Sequence, residues 1–296
     1  MKQVCMVVGY NFRTWKKNPR VFISFSIALV FCFLLSNKVV QFADKYDTSM
    51  QFLEPFIWTF EDSRSILLAS LLLIVLFADM PFVTNATPFF LMRTTRKKWL
   101  LGQGIYIVLA TTIYMVFVML ATALVSMKQA FVGNMWSPTA VVLGFSSAGE
   151  VLDVPSSMKT MGMSTPYHCA AVIFLLMLGY ALLLVFLMLL CNLKFGQIGG
   201  VVAAFGFSVY GFLLDPKTIK LVFHMQDYEA YKANVFVGWA SPLNHATFHM
   251  HNFGYDLLPT LGQSYLLCAA LILVGFMASL KCIRTYSFVF TGTGGK

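Results

Sequence analysis

Apolar and polar positions fall in long blocks along this chain. Predominantly apolar runs cover residues 21–40, 65–83, 99–127, 167–193, 197–214 and 257–280. A helix needs roughly 20 apolar residues to cross a bilayer. The pattern therefore predicts an all-α polytopic membrane protein with six transmembrane helices. The run 99–127 is longer than one straight crossing needs, so it predicts a tilt or a projection past the bilayer. Pro19 marks a break before the first run. The turn Asn192–Gly196 is short, which makes its flanking spans antiparallel neighbours. Gly196, Gly199, Gly200, Gly206 and Gly211 give the fifth span a small surface. That reads equally as close helix approach and as the ordinary tolerance of membrane helices for glycine.

The polar blocks differ in kind. Residues 41–64 carry Asp44, Asp47, Glu54, Glu61 and Asp62. Lys128–Pro166 is rich in Ser, Gly, Thr and Met and has no strong period. The connection 215–256 is mixed: Val235–Ala240 and its aromatic neighbours suit a segment dipping back into protein or membrane, broken at Pro242. Residues 1–20 set Tyr10, Phe12 and Trp15 beside Arg13, Lys16, Lys17 and Arg20. An aromatic side next to a basic side predicts a helix lying in the membrane interface.

Composition agrees with the block pattern. The chain is 58% hydrophobic and 11% charged, against about 45–50% and about 25% in soluble domains. The N-terminus starts with a polar, basic segment, so the first span is expected to be retained and not cleaved as a signal peptide. Cys5, Cys32, Cys169, Cys191, Cys268 and Cys282 show no metal-ligand spacing and read as small buried apolar residues.

Charge sets the orientation. With six spans both termini share a side. That side holds Lys2, Arg13, Lys16, Lys17, Arg20, Arg93, Arg96, Lys97, Lys98, Lys194, Lys281, Arg284 and Lys296, against one acid, Asp79. The other nineteen charges, eight basic and eleven acidic, lie on the opposite side. Lys and Arg mark the cytoplasmic face, so both termini and residues 79–104 are expected in the cytoplasm. The net charge of +9 follows from topology and carries no nucleic-acid footprint.

Candidate chemistry is sparse. There is no G-x-x-x-x-G-K-[ST]; Gly292–Lys296 only echoes one at an expected disordered tail. His245, His249 and His251 lie close together with His224 upstream, and a helix would place His245 and His249 on one face. No His-Glu-x-x-His accompanies them, and polar or packing histidines are the plainer reading, with no metal site expected. Ionisable residues are nearly absent from the span interiors, which argues against proton-coupled carriers, intramembrane proteases and charged-filter channels.

The densest basic cluster, Arg93, Arg96, Lys97 and Lys98, follows Phe89, Phe90, Leu91 and Met92. Thr87 is placed to cap a helix with Pro88 at its first position, and Trp99 reads as an interface anchor. A short helix joined directly to two spans is expected here. The string Phe-Leu-Met-Arg-Thr-Thr-Arg-Lys-Lys-Trp-Leu-Leu-Gly, with the basic-aromatic N-terminus and the six-span plan, resembles ABC transporter permeases of the type-2 exporter class, especially Gram-positive bacterial ones.

The resemblance implies a bare permease subunit in the bacterial plasma membrane. It would carry no catalytic residue and no cofactor, with ATP and Mg in a separate nucleotide-binding subunit. Residues 84–98 would be the coupling helix that docks on that ATPase, through Thr87, Pro88, Phe89, Leu91, Met92, Arg93, Arg96, Lys97 and Lys98. Tyr10–Lys17 would form the elbow helix, and Val235–His251 an external re-entrant segment. A second permease, identical or homologous, would complete a pathway for an amphiphilic peptide, lipid or drug. Two other classes stay open on the residues alone: a membrane enzyme using the external histidines as metal ligands, and a sensory or immunity membrane protein without transport.

Overall fold

The computed structural model describes residues 1–84, 86–146, 149, 158–226 and 229–288. The central part of the Ser- and Gly-rich connection and the terminal Gly292–Lys296 lie outside the described residues. Helix dominates. α1 (Lys2–Thr14) runs into a 3₁₀ turn, Trp15–Lys17. Asn18 then accepts a hydrogen bond from the Arg20 amide, and Pro19 opens α2 (Pro19–Tyr46). A two-residue strand β1 (Met50–Gln51) precedes α3 (Glu54–Phe60) and α4 (Ser63–Phe77). α5 (Thr87–Arg93) and α6 (Arg96–Val125) follow. Strand β2 (Ala130–Phe131) pairs in parallel with β1. Then come α7 (Pro138–Phe145), α8 (Met158–Met163) and α9 (Pro166–Leu213). α10 (Pro216–Val222), α11 (Ala230–Ala240), two 3₁₀ turns at Asn244–Ala246 and Phe248–Met250, and α12 (Leu261–Cys282) complete the order.

Among the described residues four helices, α2, α6, α9 and α12, are long and apolar enough to cross a membrane, and α4 is a shorter apolar helix. α9 is folded back on itself. Gly196 has φ 81° and ψ 175°, a backbone shape that glycine adopts without a Cβ penalty. Tyr180 stacks on Phe207 with ring centroids 6.3 Å apart; on a straight helix their separation would be about 40 Å. The two arms close tightly because Gly200 is bare. A Cβ there would fall 2.6 Å from the Met188 carbonyl oxygen, and closer still to Asn192.

The first arm of α9 forms the buried centre, with Ile173, Met177, Tyr180, Leu184 and Met188 almost fully enclosed. Outward-facing apolar residues such as Leu266, Val274, Ile198 and Leu34 stay exposed. Such a surface is matched to lipid rather than water.

Helix ends differ from the sequence expectation for identifiable reasons. The run 65–83 gives a helix that stops at Phe77. Past that end, Asn192 donates to the carbonyls of Met80 (2.7 Å) and Ala78 (3.3 Å), and Arg20 pairs with Asp79 at 2.6 Å. These distant partners hold residues 78–83 as turns. α2 outlasts the predicted 21–40 because Phe42 and Ala43 are still buried. α12 starts at Leu261 instead of 257, fixed by a capping box between Thr260 and Gln263.

Candidate functional site

The basic end is built around α5. Thr87 is its first residue and is 1% exposed. Its hydroxyl accepts from the Thr84 amide at 2.8 Å, so it secures the preceding turn and does not cap the helix as expected. Pro88 occupies the second position, where a missing N–H is tolerated. Phe90 meets the Tyr10 ring edge-on at 5.4 Å, and Gln3 donates to the Arg93 carbonyl at 2.8 Å. α5 is thereby fastened to α1.

α1 is fastened in turn to α6. A Cβ on Gly102 would lie 2.8 Å from Val7 Cβ, so only glycine lets these backbones approach. Asn11 donates to Gln103 at 2.9 Å in a buried setting, and Trp15 Nε1 donates to the Tyr106 hydroxyl at 2.6 Å. Phe12 lies 5.0 Å from the same tyrosine ring. The aromatic side of the N-terminal helix is therefore packed on protein, a contact that the expectation of an interfacial helix did not include. Arg13, Lys16 and Lys17 remain exposed. Cys5 is also exposed, against the expectation of buried cysteines.

The predicted docking segment 84–98 divides into a seven-residue helix and the first turn of α6, where Thr95 accepts from the Lys98 amide. Phe89 (65%) and Met92 (74%) are exposed beside exposed Arg93, Lys97 and Lys98; Leu91 and Pro88 are half-buried. Arg96 differs. Its Nη1 donates to the carbonyls of Arg284 (3.1 Å) and Tyr286 (3.0 Å), and its guanidinium lies 5.3 Å from the Phe288 ring centre. Arg96 thus holds the C-terminal tail, a contact that the sequence reading did not include. Trp99, expected at the membrane interface, is buried against Phe288. Pro88, Leu91, Met92, Arg96 and Phe288 line a groove of about 450 Å³. Sequence reasoning missed the tail's part in it; Tyr286 and Phe288 beside Arg284 were the available signal.

The opposite end is a cap of buried polar groups. Glu54 is fully buried. One carboxylate oxygen accepts from the Ser137 amide (2.8 Å), the other from the Ser137 hydroxyl (2.5 Å) and the Gln51 amide (3.3 Å). Burial pushes its pKa up to about 7, although the Ser137 bonds oppose the shift. Glu61 accepts from the Thr160 hydroxyl and lies 3.5 Å from His249 Nδ1. Lys159 pairs with Asp256 at 2.6 Å.

The other two histidines converge on one hydroxyl. His245 Nδ1 and His251 Nε2 lie 2.8 and 2.9 Å from Ser264 Oγ. Their remaining nitrogens face the carbonyls of Trp239 (3.0 Å) and Thr247 (2.9 Å). Facing a carbonyl requires an N–H, which leaves both inner nitrogens as acceptors when the rings are neutral. Burial pushes the His251 pKa down to about 4 and lowers His245 as well. The backbone here is 3₁₀ turns, not the α-helix that would align His245 with His249. Among the described residues no group of three or more His, Cys, Asp or Glu side chains is placed to hold a metal ion.

Compared with known proteins, the chain matches no family model, no curated protein and no solved structure.

Proposed function

We propose that this chain is the permease subunit of an ATP-driven exporter, moved by a separate ATPase that docks at its basic end. The observation that carries the proposal is the mounting of α5. Its inner side is tied to α1 through Gln3 and Tyr10, while Phe89, Met92 and Arg93 point outward. An apolar pair flanked by cations is suited to binding a partner, since aromatic residues, Met and Arg are enriched at interfaces. One residue pair, Thr94–Thr95, separates α5 from α6. Displacement of α5 therefore acts directly on a 30-residue helix.

In this reading the chain crosses the bacterial plasma membrane six times, with α4 and the two arms of α9 counted as crossings and both termini in the cytoplasm. The one-sided distribution of Lys and Arg supports that orientation. ATP and Mg bind the partner, and this chain has no catalytic residue. A second permease, identical or homologous, completes the pathway for an amphiphilic peptide, lipid or drug.

The test is co-expression with candidate ABC ATPase subunits from the same genome. Arg93→Glu with Lys97→Glu is expected to abolish co-purification and permease-dependent ATP hydrolysis while membrane insertion persists. Undiminished coupling in that variant overturns the proposal.

A further inference from the structure

The groove beside α5 is shared between distant parts of the chain. Pro88, Leu91 and Met92 line it from α5, Arg96 from the first turn of α6, and Phe288 from the tail after α12. Its apolar wall is open. Met92 is exposed, and Pro88, Leu91 and Phe288 are half-buried. Phe288 is set in place edge-on to Trp99 at 5.4 Å and to Tyr286 at 5.1 Å. Arg96 commits Nη1 to two tail carbonyls. A guanidinium carries five N–H donors, and those on Nη2 and Nε make no bond among the described residues. Charge around the groove is one-sided. Arg93, Lys97, Lys98 and Arg284 are exposed, and none is ion-paired among the described residues. Residues 80–126 and 257–296 contain no Asp or Glu. Asp79, just before the first of these stretches, is already paired with Arg20 at 2.6 Å.

We propose that this groove and its rim receive an acidic segment of the partner ATPase, with one bulky aromatic side chain of that segment seated between α5 and Phe288. The choice of ATPase as occupant rests on reading the basic end as its docking surface; what is added is the chemistry the partner presents there and the tail's share in holding it. Pro88, Leu91, Met92 and Phe288 make the seat apolar. Methionine adapts its shape to what packs on it, and Phe288 offers a ring for an aromatic pair. One anchoring aromatic side chain in a pocket is the usual centre of an interface. The unpaired cations around the seat attract carboxylates and turn away a basic segment. Because Arg96 ties the tail to α6, the seat has one wall on the tail and another on α5. Damage to the tail therefore weakens binding even where α5 is intact.

The full chain in neutral detergent would be titrated with a fluorescent synthetic peptide of Asp and Glu around one Trp, with binding read by anisotropy. That peptide is expected to bind about tenfold or more tightly than the same peptide with Ala for Trp, and than a Lys and Arg peptide around Trp. Met92→Glu and Arg284→Glu are each expected to weaken it severalfold, and Arg284→Lys to retain it. Both side chains are exposed, so these variants leave the core undisturbed. No preference for the acidic Trp peptide, or a preference that survives either Glu substitution, overturns the shared site. Displacement by short-chain phosphatidylglycerol as readily as by unlabelled peptide overturns the protein partner in favour of a lipid surface. Binding that requires deletion of residues 289–296 overturns it in favour of the chain's own end. The peptide assay needs no ATPase, so the two readings fail separately. A peptide preference in a chain that co-purifies with no ATPase overturns the ATPase as partner and leaves the site for an acidic segment; co-purification without a peptide preference does the reverse.

Discussion

Glu54 and His251 titrate in opposite senses within one polar cap. The folded pKa of Glu54 is raised to about 7, so over the interval below that the folded chain keeps a proton the unfolded chain has lost. Its contribution is full at acid pH and disappears as pH rises through about 7. The folded pKa of His251 is lowered to about 4. Its contribution is full above the ordinary imidazole range and is lost as pH falls toward 4. Glu54→Gln should therefore gain thermal stability relative to the parent chain as pH rises from about 5 to about 8; a constant offset across melting curves at those pH values would refute the assignment. Ser264 has one proton for two imidazole acceptors, so one of its contacts is polarised but not fully bonded while both rings are neutral. Ser264→Ala leaves both nitrogens buried without the hydroxyl, and a loss of about 1–3 kcal/mol is expected in the unfolding free energy. Gly200→Ala, driven against Asn192 and the Met188 carbonyl, should cost about 1–3 kcal/mol by overpacking and lower the yield of folded chain in a fluorescence size-exclusion assay.

At the scale of elements, α5 and the tail after α12 form one platform held by Arg96. Arg96→Ala should release residues 284–288 and raise amide exchange there, with little change in α6; unchanged exchange would separate the tail from the platform. Hydropathy made the long helices legible, because a run of apolar residues has few other uses. It did not make their ends legible. α4 stops at Phe77 because Arg20 and Asn192 supply partners from far along the chain, and no local window contains that information. The basic segment was legible as a place but not as a set of roles. Arg93, Arg96 and Lys97 look alike in sequence, yet Arg96 is held by two tail carbonyls. Trp99 misled for the same reason: an interface tryptophan and a tryptophan under a tail share the same neighbours in sequence.

For the whole molecule, orientation is the first quantity to measure. Cys5 is exposed on α1, and Lys128 is exposed beside Asp44 at the opposite end. A membrane-impermeant maleimide should label Cys5 only in inverted vesicles, and an introduced Lys128→Cys only in intact cells; the reverse pattern would invert the topology. α12 then acquires a mechanical meaning. Few of its residues are fully enclosed, and along its middle Phe276 packs against Phe186 with ring centroids 5.5 Å apart. Yet it is gripped at both extremities: Ser264 sits between His245 and His251, and the segment just past Cys282 hangs from Arg96. A helix of this length spans about 33 Å. One end lies beside the exposed face of α5, and the other meets the paired imidazoles of His245 and His251.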